Sequence, residues 1–450
     1  MFARIVAILA LLVAAPALAD DLSGQWDLRA GGVAMLRFEL HPTPEGWKGT
    51  WQRPDHYRTE GYNFSKVTGP AITSDGSGEA QANGDVALQF DDPHPHSRPD
   101  RVRFRLIDPA HAKVVLDGGM TLRLSRSTGG PMGPWDSART YPIDVTRTTN
   151  PDMTRIFKAD LSDRKHASDG TAARAADGRR ARTQQLLDAD ALDSGEDFEH
   201  AAAVFQHGEA PGDYLKAHLL AIVAVARGRP SALTIASESF DRYLAKIGHA
   251  DAPSAGSRWA SAGRSASDDI ARASNPEMTA IFEADQSERK AASIDWTVLS
   301  KADERRRART QELLDAGALN SGEDFEGAAF VFQHGDAPDD FLKAHLLATI
   351  AVARGKPGAV WIVSATLDRY LERSGRPQVL GTQFQSVAGG PMTQDPYDRT
   401  FASDSLREAL NVPSLADQEV QQQQFAQRAR QQAAQRAQTQ PAPQGQTAGK

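Results

Sequence analysis

A chain of 450 residues with 51 basic and 58 acidic side chains has a formal net charge of −7, so it lacks the cationic excess that holds a nucleic-acid backbone, and no nucleic-acid partner is expected. It contains no cysteine, which excludes disulfides, thiolate metal centres, iron–sulfur clusters and a cysteine nucleophile. The length suits about two to four domains, each with its own core.

Arg4 precedes an apolar stretch from Ile5 to Ala15, and Ala17-Leu18-Ala19 follows with the small-x-small pattern of a cleavage site. Residues 1–19 therefore read as a cleaved export signal, with Asp20 as the expected first residue of a periplasmic or secreted protein. A chain without cysteine also suits an oxidising compartment. No later stretch approaches the roughly 20 apolar residues of a membrane helix, so no membrane span is expected.

Over residues 20–127 apolar and polar side chains alternate, as in Met35-Leu36-Arg37-Phe38-Glu39-Leu40 and Val102-Arg103-Phe104-Arg105-Leu106. Turn clusters at Gly31-Gly32, Ser74-Asp75-Gly76-Ser77-Gly78 and Asn83-Gly84 divide them. About six to eight short strands at this spacing predict an antiparallel β-barrel or sandwich. Gly24-Gln25-Trp26, with Arg123 or Arg126 on the last strand, resembles the Gly-x-Trp start and late Arg of lipocalin-like barrels. That resemblance implies a Trp closing the barrel floor with an Arg packed across it. The run Asp91-Asp92-Pro93-His94-Pro95-His96 is broken by prolines and has no further ligands near it in sequence, so it reads as a solvated hairpin loop and no metal is expected. Residues 128–149 are rich in Gly and Pro, lose the two-residue period and read as a linker.

Beyond the linker the sequence repeats. Asn150-Pro151 returns as Asn275-Pro276, and residues 179–244 match 306–371 without a gap at roughly seven positions in ten. Proline after Asn150 and Asn275 signals a helix start, and Ser194 and Ser321, each with an Asp three residues on, signal capping boxes. Short loops and recurring alanines, such as Ala217, Ala221 and Ala224, predict closely packed antiparallel helical hairpins that look tetratricopeptide-like, although the period is longer. The expected organisation is an N-terminal β-barrel or sandwich followed by a duplicated all-α region: copies at 150–248 and 271–415, a linker at 249–270, and a Gln-rich, largely disordered tail at 416–450.

Polar residues shared by the copies include Gln206-His207 with Gln333-His334, His218 with His345, and Asp241-Arg242 with Asp368-Arg369. The second copy alone continues into Gln378-Val379-Leu380-Gly381-Thr382-Gln383. This combination of Gln-His, Asp-Arg and Gln-x-x-Gly-Thr-Gln resembles an uncharacterised bacterial exported α-helical domain family. The resemblance implies a helical fold and candidate positions Gln333, His334, His345, Asp368, Arg369, Gln378, Thr382 and Gln383, with no reaction attached.

Gly335 suits a helix C-terminus, where His334 would feel the negative end of the dipole. Antiparallel pairing would bring His334 and His345 together, Asp368 would hold one imidazole tautomer, and Arg369 would offer a fork to an anion. Three readings stay open: buried struts, a site for a small polar ligand, or general acid–base catalysis. The expected function is a non-catalytic module binding a small polar ligand, peptide or protein, without a cofactor. The alternative is a hydrolase or transferase that uses the second-copy cluster.

Overall fold

The computed structural model describes residues 22–439 apart from 61–62, 82–83, 96, 117–120, 146, 167–170, 250–272, 292 and 387–389. The export signal, nearly all of the segment 249–270 and the end of the tail lie outside the described residues. The chain divides into two compact units, 1–146 and 147–450.

The first unit is an eight-stranded antiparallel barrel. Its strands are β1 (Gly24–Ala30), β2 (Val33–Thr43), β3 (Gly46–Glu60), β4 (Asn63–Ala80), β5 (Val86–Phe90), β6 (Asp100–Asp108), β7 (His111–Val115) and β8 (Thr121–Arg126). Each pairs with the next in sequence, and β1 pairs with β8, so these eight strands close on themselves. Alternation places Trp26, Phe38, Trp51, Phe90 and Phe104 in one packed core. Phe38 lies 5.3 Å from Trp51 and 5.1 Å from Phe104 between ring centroids.

Trp26 is fully buried and donates its indole N–H to Leu22 O at 2.8 Å. Arg126, which faces it across the β1–β8 register, places its guanidinium 4.0 Å over the indole ring.

Two expectations are corrected here. Ser74–Gly78 is not a turn but the middle of β4, paired with both β3 and β5. Glycine is needed there because a Cβ at Gly78 would lie 1.9 Å from Ala87 O. Nor are residues 128–149 simply a linker. Gly130 O accepts a hydrogen bond from Arg37 at 2.7 Å, and Tyr141, 2% exposed, lies in a ninth short strand β9 (Tyr141–Pro142) against Phe64 of β4. A fragment of residues 20–146 is expected to unfold cooperatively, with 20–127 about 3 kcal/mol less stable because it loses a buried aromatic. Equal urea midpoints for the two fragments would contradict this role of the strap.

The second unit contains, among its described residues, twelve α-helices. They are α1 (Pro151–His166), α2 (Thr171–Asp188), α3 (Gly195–Gln206), α4 (Pro211–Ala226), α5 (Leu233–Lys246), α6 (Pro276–Glu288), α7 (Trp296–Asp315), α8 (Gly322–Phe332), α9 (Pro338–Ala353), α10 (Val360–Arg373), α11 (Asp404–Ala409) and α12 (Leu415–Thr439). Ser194 and Ser321 cap α3 and α8 in reciprocal boxes with Asp197 and Asp324. The same acids accept the N–H of Asn150 and of Asn275, each at 2.7 Å, so each ties two helix starts together.

The apolar faces of α3–α5 and α8–α10 belong to one continuous core that runs from Met153 to Val412. The residues of the two expected copies therefore share one packed core. The tail also begins inside the fold: Gln418 of α12 is fully buried and donates to Leu380 O at 2.9 Å.

Candidate functional site

His345 on α9 has no exposed surface, and its partner is not His334. Its Nε2 lies 2.9 Å from Nε2 of His218 on α4, while the two Nδ1 atoms face Val363 O at 3.0 Å and Ala236 O at 2.8 Å. Alanines on α4 and α9 admit this approach, and Phe240 stacks against the His218 ring at 4.5 Å. A carbonyl oxygen can only accept, so both Nδ1 atoms would carry hydrogen. A bond between the Nε2 atoms then needs one proton more than two neutral rings hold.

Magnitudes decide which state wins. Burying the extra charge costs several kcal/mol, against about 1–3 kcal/mol for leaving one of the three contacts unmade. Burial accordingly pushes both imidazoles below their ordinary pKa, His345 to about 4, and the pair is neutral at pH 7.

Asp368 on α10 is fully buried and holds no imidazole. Its carboxylate accepts from Val379 N at 2.8 Å, Leu380 N at 3.1 Å, Thr382 N at 3.0 Å and Thr382 Oγ1 at 2.8 Å. Burial pushes its pKa up, against these four bonds, which favour the ionised form. The Gln-x-x-Gly-Thr-Gln segment is therefore wrapped around a carboxylate of its own chain.

Buried Gln378 closes the wrap. It accepts from Gln383 N and donates to Gln383 O, each at 3.0 Å. Gly381 is required because its φ is +83° and a Cβ there would lie 2.7 Å from the Tyr397 ring and 2.1 Å from Gln418 Oε1.

The remaining candidates meet at the C-terminal end of α8. Arg369 donates to Gln333 O and to Gln383 Oε1, both at 2.8 Å. Partly exposed His334 directs Nδ1 at Asp285 Oδ1, 3.1 Å away. Asp285 also accepts from Arg289 at 2.8 Å, and Arg307 donates to His334 O at 2.7 Å. Burial works to raise the Asp285 pKa, but His334 and Arg289 outweigh it and hold the carboxyl below its ordinary range. Glu372, half-buried and beside Asp368, is pushed up to about 7 by burial and by that second carboxylate, so it titrates near neutrality.

The eight candidates thus fall into three places. His345 joins the core contact with His218. Asp368, Gln378 and Thr382 form the loop wrap. Gln333, His334, Arg369 and Gln383 share the partly open end.

Asp285, Arg289 and Arg307 were not singled out from the sequence, although Asp160, Arg164 and Arg180 stand at the corresponding repeated positions and could have revealed them. The corresponding histidine is arranged differently. His207 directs Nδ1 at Ala203 O at 2.6 Å, and its Nε2 is engaged by Arg164. At His334 the carboxylate is within 3.1 Å of Nδ1, whereas at His207 the corresponding Asp160 carboxylate stands 3.8 Å away.

Comparison with known proteins returns no matching family model, no matching curated protein and no matching solved structure.

Proposed function

We propose that this is an exported, periplasmic or secreted, non-catalytic module in which a duplicated helical region binds a small polar ligand, a peptide or a protein. The observation that carries the reading is the use of Asp368, Gln378 and Thr382 in hydrogen bonds within the fold, together with the enclosure of His218 and His345 in the core. Side chains satisfied in this way brace helices and loops and are not available to a substrate. The recurrence of the helix caps 127 residues apart supports duplication of a unit that shares one core with its copy. The half-open end at Arg369, His334 and Glu372 is the polar surface on which a small anionic or amide-bearing group would sit.

One observation favours the alternative. His334 oriented by Asp285 has the layout of a general base, so a hydrolase or transferase centred on His334 is the second reading. The full chain is to be assayed against chromogenic esters, phosphomonoesters and amides. The expected result is no turnover above background. Turnover that His334→Ala abolishes with an unchanged melting temperature would replace the binding reading with the catalytic one.

A further inference from the structure

The loop between β5 and β6 carries Asp92 and His94, and the fold supplies partners that its own sequence neighbourhood lacks. Strand β3 loses register with β4 between Pro54 and His56. A regular strand sends successive side chains to opposite faces, whereas a register break re-aims them, so Asp55 and His56 both turn toward His94. Gly69 of β4, at φ +81°, admits this arrangement, since a Cβ there would lie 2.6 Å from Asp55 Cβ.

The donor atoms of Asp55, His56 and His94 all lie within 4.8 Å of one another. His94 Nε2 is 2.9 Å from Asp55 Oδ1, and His56 Nε2 is 3.6 Å from Asp55 Oδ2, too long for a hydrogen bond. The two imidazole rings lie 5.7 Å apart. Ligands of a tetrahedral ion with bonds near 2.0–2.1 Å stand roughly 3.3 Å from each other, so small side-chain adjustments bring three donors onto one ion. The other ring nitrogen of His94 is held by Asp92 Oδ1 at 2.7 Å, and Asp92 is itself anchored by Arg53 at 2.8 Å. A carboxylate behind a histidine fixes the tautomer that presents Nε2 outward, which is the support a metal-binding imidazole receives.

We propose that Asp55, His56 and His94 form a binding site for a zinc-class divalent transition ion, with Asp92 as the residue positioning His94. The donor set is two imidazole nitrogens and one carboxylate oxygen. It suits zinc with a fourth position open to water, and not calcium or magnesium, which take shells of oxygen. The site is in the β unit and does not rest on the reading of the helical unit. The side chain of His56 is 68% exposed and that of His94 38%, so an ion has access from solvent.

The test uses the full chain freed of metal with a chelator and titrated with zinc against a chromophoric zinc indicator. One ion per chain is expected, with His56→Ala and His94→Ala each weakening binding at least tenfold. Asp92→Asn leaves all three ligands in place and should weaken it by about 10–100-fold. His41→Ala, at an exposed histidine paired with Glu39 in β2, should leave binding unchanged. Because His56 is a surface side chain, its replacement reports on ligation and not on folding, and a melting curve for each variant verifies this. Failure of the wild-type chain to bind zinc would overturn the proposal, as would binding unchanged in either histidine variant. Displacement of zinc by equimolar calcium would overturn the assigned ion class.

Discussion

Asp368→Ala is expected to destabilise the helical unit by at least about 4 kcal/mol, read as a fall in the urea midpoint followed by helical circular dichroism. Four donors converge on this carboxylate. Each buried donor left without a partner costs about 1–3 kcal/mol, and the total is reduced where the freed loop can reach water. A loss of that size is a large share of the roughly 5–15 kcal/mol that keeps a domain folded. Asp368→Asn retains one oxygen acceptor but turns an amide N–H₂ toward donors, so an intermediate loss of about 2 kcal/mol is expected. Asp241, the corresponding residue 127 positions earlier, is partly exposed, and its replacement by Ala should cost about 1 kcal/mol or less because water can replace its partners. Equal losses at Asp241 and Asp368, or a small loss at Asp368 with the loop still protected from hydrogen exchange, would contradict the structural role given to Gln378–Gln383.

The parts of the fold that were legible in the sequence are those dictated by local chemistry. Alternation marked β1, β2, β5, β6 and β8, and the Ser194 and Ser321 boxes marked the helix starts at Gly195 and Gly322. What misled was glycine serving in two ways. In Ser74–Gly78 it supplies close strand contact and not a turn, and that requirement appears only when β5 is placed against β4. Tyr141 was hidden for a related reason, since a two-residue strand inside a Gly/Pro-rich segment has no period to read.

The candidate site shows the same limit. Residue types and neighbourhood were visible, but partners were not. Asp368 was expected to orient an imidazole, yet the donors it binds come from the loop that follows its own helix. His345 was expected to meet His334, which is 11 positions away, and instead meets His218 at 127 positions. A repeat makes such a contact possible because two copies of one surface can face each other, and no pattern along the chain specifies it.

The His218–His345 pair should make stability fall as pH is lowered from about 7 to about 4. The unfolded imidazoles take up protons near pH 6.5, while burial holds the folded His345 neutral down to about 4 and lowers His218 in the same direction. Between those values the unfolded state binds more protons than the native state, so unfolding becomes easier with each step toward acid. Above pH 6.5 both states are neutral and the effect is absent. For His345 alone the shift is worth about 3 kcal/mol. Glu372 acts in the opposite sense in part of this window, because its raised pKa favours the folded state as it gains a proton below about 7. A difference between variants removes that contribution.

The double replacement His218→Leu with His345→Leu fills the space with apolar side chains and should abolish most of the acid slope while leaving stability at pH 7 equal or higher. His345→Leu alone places an apolar side chain against the polar face of the buried His218 imidazole and should cost about 2 kcal/mol at pH 7, more than the double variant. Urea midpoints measured from pH 7.5 to 4 for the wild type and both variants check the argument. An unchanged acid slope in the double variant, or a double variant less stable than the single at pH 7, would show that the two imidazoles are not coupled in this way.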